Sequence, residues 1–285
     1  MASSTGENAI VTRDLCKSFG TVNAAINLNL QIPHGTTYGL LGPNGAGKTT
    51  TVRMLNAIIL PTSGSAFVAG YDVVKNPQDV KRHCGFLPES PGLYEKLTAK
   101  EFLEFIGSLY DVPKEILYNR IEELLDIFDL RARENDLLEG YSRGMKQKVC
   151  LCATLVQDPS IIFLDEPTSN LDPEAARMVK DLILELAHKA DKTIFLCTHL
   201  LSAAEELCNI IGIIKDGRLL IEGTPQDLIA HTETANLEEA YLKIMGAKKI
   251  DELLSWRANG DESQSKSRDR KKIKEIKAPK LQWEK

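Results

Sequence analysis

The chain is 285 residues long, 43% hydrophobic and 26% charged, with a formal net charge of −5. That balance allows a globular body with ample core and argues against a broad basic surface for nucleic acid. No apolar run reaches the ~18 residues of a membrane span, and the N-terminus lacks the basic-then-apolar order of a secretory signal, so cytoplasmic residence is the expectation.

In chain order, residues 25–32 (AINLNLQI) place Ile26, Leu28, Leu30 and Ile32 on one face, the alternation of a half-buried strand. TTYGLLG reads as a short buried strand that runs into the Gly-rich stretch GPNGAGKTT, and KTTTVRMLNAIIL as the helix after it. SAFVAG and CGFLPE are further short strands with Gly or Pro at their edges. From residue 98 the texture becomes helical, with amphipathic helices in TAKEFLEFIGSLY and PKEILYNRIEELLDIFDL and a third helix opening at Ser142. Strands return with SIIFLDE and KTIFLCT, alternating with helices, followed by the hairpin-like pair NIIGIIKDG–RLLIEG and a last short helix, LEEAYLKIM. Alternating strand and helix implies a mainly parallel sheet with helices on both faces, interrupted by a helical insertion over about 90–157. No internal repeat is visible.

Two features at the margins carry less chemistry. Six scattered cysteines include a C-x-C at Cys150 and Cys152, which suits metal only with a second pair; buried reduced thiols are the expectation. Residues 261–285 hold nine Lys/Arg against five Asp/Glu in a polar setting, the composition of an unstructured basic tail.

The stretch Gly42-Pro43-Asn44-Gly45-Ala46-Gly47-Lys48-Thr49 fits a phosphate-binding loop between strand and helix. Its glycines fold the backbone into a nest of N–H groups, Lys48 supplies charge at the β- and γ-phosphates, and the Thr49 hydroxyl reaches Mg²⁺. Asp165 emerges at the end of a buried strand, suited to hold Mg²⁺ through water, and Glu166 beside it is a natural general base. The helix start at Ser142 and Gly144, in YSRGM, is a second anion site. Two phosphate sites for one nucleotide need an explanation.

GPNGAGKTT, YSRGM, IIFLDEPTSNLD and CTH, in this order and spacing, resemble the nucleotide-binding subunit of an ABC transporter over about residues 8–245. The resemblance implies an α/β P-loop NTPase with a mainly parallel sheet core, an N-terminal antiparallel β subdomain and an inserted α-helical subdomain. Together with the composition of the tail, the expected organisation is an ATPase domain over 1–234, a short helical extension over 235–256 and the basic tail over 257–285. The resemblance also answers the puzzle, because in that family the Ser-x-Gly helix start binds the nucleotide of the opposite subunit. Two chains, expected as a homodimer, would sandwich two ATP molecules.

Residue by residue, the resemblance implies a Mg-dependent ATPase with Glu166, His199 and Lys48 as catalytic residues. ATP contacts would come from Gly42, Pro43, Asn44, Gly45, Ala46, Gly47, Lys48, Thr49 and Thr50, with Phe19 stacked on adenine. Ser142, Gly144 and Met145 would serve the partner's ATP, and Asp172 would couple the two sites. Thr49, Asp165 and Glu89 would hold the metal. Arg143 and Met145 depart from the family's commonest Gly and Gln, and Glu89 stands where Gln is usual, so a loop carboxylate without a metal role is the other reading there. LPE, GLYEKLT and YSRGM resemble the subfamily of multidrug, antibiotic and sodium exporters. The permease would be a separate polypeptide docked between 86–92 and the helical insertion, which places this chain on the cytoplasmic face of the membrane. The rival reading is a soluble ABC ATPase that switches nucleic acid or a ribosome. Such proteins usually carry two cassettes or a long coiled-coil insertion, neither of which appears here, and no nucleic-acid partner is expected.

Overall fold

The computed structural model describes residues 8–90, 92–169, 171–189 and 192–246. The basic tail and the extension beyond Gly246 lie outside the described residues. In chain order the strands begin with β1 (Asn8–Phe19), β2 (Val22–Leu28), β3 (Gln31–Pro33), β4 (Thr37–Leu41), β5 (Ser63–Val68) and β6 (Tyr71–Asp72). They continue with β7 (Cys84–Leu87), β8 (Ile161–Asp165), β9 (Thr193–Thr198), β10 (Ile210–Lys215) and β11 (Arg218–Gly223). The helices are α1 (Lys48–Leu55), α2 (Pro77–His83), α3 (Ala99–Leu109), α4 (Lys114–Ile127), α5 (Arg143–Leu155), α6 (Pro173–Lys189), α7 (Leu201–Leu207), α8 (Pro225–Thr232) and α9 (Leu237–Met245).

Two sheets form. The antiparallel one runs β2-β1-β5-β6, with β3 also on β1; the other runs β11-β10-β4-β9-β8-β7 and is parallel apart from β11. The stretch 25–32, read as one strand, is two. Asn27 takes a left-handed φ of 51°, β2 ends at Leu28, and β3 starts at Gln31. Both pieces pair with β1, and the buried Thr12 hydroxyl bridges the gap, donating to Leu28 O and accepting from Leu30 N–H, each at 2.8 Å.

The central strands β4, β8 and β9 are buried along their whole length, as expected of parallel strands covered on both faces. Alternate residues separate cleanly: Ile162, Leu164, Ile194 and Leu196 join the cluster shared with the helices α3 to α5, while Ile161, Phe163, Phe195 and Cys197 join the cluster under the antiparallel sheet. The run between β7 and β8 contains α3, α4 and α5. Thr98 and Glu101 cap α3 reciprocally, which sets where that helix begins. At the carboxyl ends of β4, β8 and β9 stand Gly42, Glu166 and His199, where open parallel sheets place their ligands.

Candidate active site

The loop after β4 turns into α1 at Gly47, whose φ is 105°. A Cβ there would lie 2.1 Å from the carbonyl oxygen of Ala24, so only glycine lets the loop pass this close to the β2 backbone. Lys48, the first residue of α1, is buried and turned into its own loop. Its Nζ donates to Gly42 O at 2.8 Å and Pro43 O at 3.3 Å, and stands 3.6 Å from Glu166 Oε1. Residues 43–50 line a cleft of about 500 Å³ with Glu89, Asp165 and Glu166; Gly42, at the start of the loop, does not line it.

Asp165 is 1% exposed, and neither carboxylate oxygen has a hydrogen-bond partner. Burial pushes its carboxyl above the usual carboxylate range, and the charges of Glu166 and Glu89 push the same way. The Thr49 hydroxyl, close but without full hydrogen-bond geometry, and the Lys48 charge oppose them only in part. A buried, unpartnered carboxylate beside a phosphate loop has the donor chemistry that suits a divalent cation.

Glu166 follows with a left-handed φ of 53°, a costly conformation for a residue with a Cβ, held by its N–H bonding to Cys197 O at 2.9 Å. Its side chain is 7% exposed, and both carboxylate oxygens have partners. Oε1 meets His199 Nδ1 at 2.8 Å as well as Lys48; Oε2 receives the hydroxyls of Ser169 at 3.3 Å and Thr198 at 3.4 Å. His199 reaches the site through this contact.

YSRGM lies elsewhere. Ser142 is the N-cap of α5, its hydroxyl accepting from Met145 N–H at 3.3 Å. Ser142, Gly144 and Met145 line a second cleft together with Asp172, which caps α6 by accepting from Ala175 N–H at 2.9 Å. The two clefts share no lining residue. Arg143 turns away into a third hollow, and Glu89 lines both that hollow and the phosphate-loop cleft. Phe19 is half-exposed at the β1–β2 turn, with Lys17 Nζ 4.8 Å from its ring centre, and it does not line the cleft. Val22, its register partner, does, as do Asn23, Ala24 and Asp216. Sequence reasoning missed these four, which carry no motif: Val22, Asn23 and Ala24 come to the cleft on β2, and Asp216 on the turn between β10 and β11.

Residues 26–169 match the family model described as ABC transporter. The chain is 40% identical over 213 residues to the bacitracin transport ATP-binding protein BcrA of Bacillus licheniformis, covering 75% of this chain and 69% of that one. A solved ATP-binding subunit of an ABC transporter superposes with a TM-score of 0.78 at 30% identity, over 83% of this chain and 99% of that one. A dimeric ATP-binding cassette in a post-hydrolysis state with ADP and Pi gives 0.69 at 25% identity, over 75% and 98%.

Proposed function

The chain belongs to the ATP-binding subunits of ABC transporters, and from that premise we propose that two copies close around two ATP molecules to drive a separate membrane permease outward. As a member of this family it is an ATPase. One observation carries the two-chain reading: the phosphate-loop cleft and the Ser142–Gly144 cleft share no residue. A helix start shaped for an anion, set apart from its own chain's phosphate loop, is suited to a nucleotide held by another copy.

In this reading Lys48 exchanges the carbonyls of Gly42 and Pro43 for phosphate oxygens, which releases Oε1 of Glu166. Glu166 then accepts the proton of the attacking water, and His199, held at 2.8 Å, orients the γ-phosphate side. Thr49 and Asp165, with Glu89, would hold Mg²⁺, which when bound neutralises charge developing on the phosphates. Phe19 would stack on adenine at the edge of the cleft, and Asp172 would relay between the two sites.

The ATPase domain would end near 234, with α8 closing it and α9 beginning the extension. Phe86, Pro88, Phe102, Ile106 and Leu109 line a hollow of about 230 Å³ that would seat a cytoplasmic segment of the permease. That docking would hold the chain at the cytoplasmic face. Among the described residues no helix is long and apolar enough to cross a membrane. The outward direction is supported by the similarity to the bacitracin transport protein and by LPE, GLYEKLT and YSRGM, which resemble the exporter subfamily.

A mixing experiment tests the sandwich. Ser142→Arg and Lys48→Ala chains should each be inactive alone, and their mixture should recover part of the hydrolysis, because the heterodimer keeps one site with both halves intact. Loss of ATP binding by an isolated, folded Ser142→Arg chain would place YSRGM in its own chain's pocket.

A further inference from the structure

We propose that Thr198 is a positioning residue for the base, its buried hydroxyl fixing which carboxylate oxygen of Glu166 is turned to the nucleotide. This rests on Glu166 acting as the proton acceptor. Thr198 is the last residue of β9 and 1% exposed. Its Oγ1 accepts the N–H of Leu200 at 3.0 Å. With a lone pair so used, the hydroxyl proton is free to be donated, and the acceptor in range is Glu166 Oε2 at 3.4 Å. The carbonyl of the same residue accepts the N–H of Gly42, the first glycine of the phosphate loop, at 3.4 Å.

Thr198 therefore joins three parts of the site: the loop, the base and the turn that carries His199. A hydroxyl that merely satisfied its own turn would explain the bond to Leu200. It would not explain the donated bond to a side chain 32 positions away.

The consequence is a division between the two oxygens of one carboxylate. Oε2 is occupied by hydroxyls from Thr198 and Ser169. Oε1 faces His199 and Lys48, and Lys48 is the partner that phosphate would draw off. The bonds to Oε2, at 3.3 and 3.4 Å, are long, so their role is orientation of an already strained residue rather than strong stabilisation of its charge. Without them the glutamate side chain regains rotamers in which neither oxygen points at the cleft.

The test is steady-state ATP hydrolysis by the full chain carrying Thr198→Val, Thr198→Ser or Glu166→Gln. Thr198→Val should lower kcat roughly ten- to hundredfold, the cost of a base held off its productive geometry rather than of the hydrogen bond itself, with KM for ATP within about twofold. Thr198→Ser keeps the hydroxyl and should stay within about threefold of wild type in kcat. If Thr198→Val fails to fold by circular dichroism, Thr198→Ala removes the same donor without a buried methyl and carries the same expectation. Unchanged kcat in the Val or Ala variant, an equal fall in the Ser variant, or a loss confined to KM would each overturn the positioning role. Glu166→Gln separates this from the underlying reading: wild-type hydrolysis there removes the base itself, whereas an inactive Gln variant beside a fully active Val variant removes only Thr198.

Discussion

Lys48 and Glu166 face each other as an ion pair at 3.6 Å, with side chains 6% and 7% exposed. The amine that would grip phosphate is thus parked on the base that would activate water. Replacing Glu166 with Gln keeps the shape, frees Lys48 and removes the proton acceptor. ATP binding should persist, turnover should drop roughly 10²- to 10⁴-fold, and a dimer should accumulate with Mg-ATP on size exclusion. Turnover at the wild-type rate would falsify the assignment of the base.

Asp165 supplies a second expectation, with opposite signs for stability and activity. Both its oxygens are buried and unpartnered, which costs the nucleotide-free fold. Asp165→Asn removes the buried charge but leaves an amide without partners, so it should raise stability toward chemical denaturation at neutral pH only modestly, by about 1 kcal/mol, while abolishing Mg²⁺-dependent hydrolysis. Glu89, whose charge acts on Asp165 from the cleft wall, should tolerate Gln and, if it holds the metal, lose Mg²⁺ affinity as Ala. Identical Mg²⁺ titrations for both Glu89 variants would make it an ordinary loop carboxylate.

Two glycines of one loop should respond differently to alanine. At Gly47 the new Cβ meets a backbone oxygen at 2.1 Å as well as an unfavourable φ, whereas at Gly45, with φ 81°, it meets nothing within 4 Å. Gly45→Ala should cost about 1–2 kcal/mol from backbone strain alone, and Gly47→Ala clearly more. Equal unfolding midpoints for the two would show that the approach of Ala24 does not constrain the loop.

The cysteines offer a chemical check on the core. Burial pushes the thiols of Cys84, Cys152 and Cys197 up, and those of Cys150 and Cys208 up to about 12. The thiolate is the reactive form, so these five should be inert at pH 8. A disulfide-exchange reagent should therefore titrate one thiol, Cys16, in the native chain and all six after denaturation in guanidinium. Rapid reaction of two or more native thiols would contradict the packing around β7, β9, α5 and the end of α7.

Much of this molecule is written in short segments. The phosphate loop, the strand ending in Asp165-Glu166 and the cap at Ser142 each depend on residues within a few positions of one another, where backbone conformation and hydrophobic period are local matters. β1 escaped the same reading because Ala9 to Thr12 are buried without alternation and register shifts follow between Leu15 and Lys17 and before Ser18. The break between β2 and β3 escaped because it preserves the burial of Leu28, Leu30 and Ile32, so the pattern looks continuous.

What the tertiary structure alone decided is which distant groups meet. His199 reaches Glu166 across 33 positions, Thr198 reaches the same carboxylate, and Val22 and Asp216 arrive at a cleft whose motif lies elsewhere in the chain. Neither the inward turn of Lys48 nor the separation of YSRGM from the phosphate loop follows from spacing. Local sequence sets dihedral preferences and the faces of elements; strand order and the packing of helices on the sheet then set distances between elements, and at those distances hydrogen bonds and charges act.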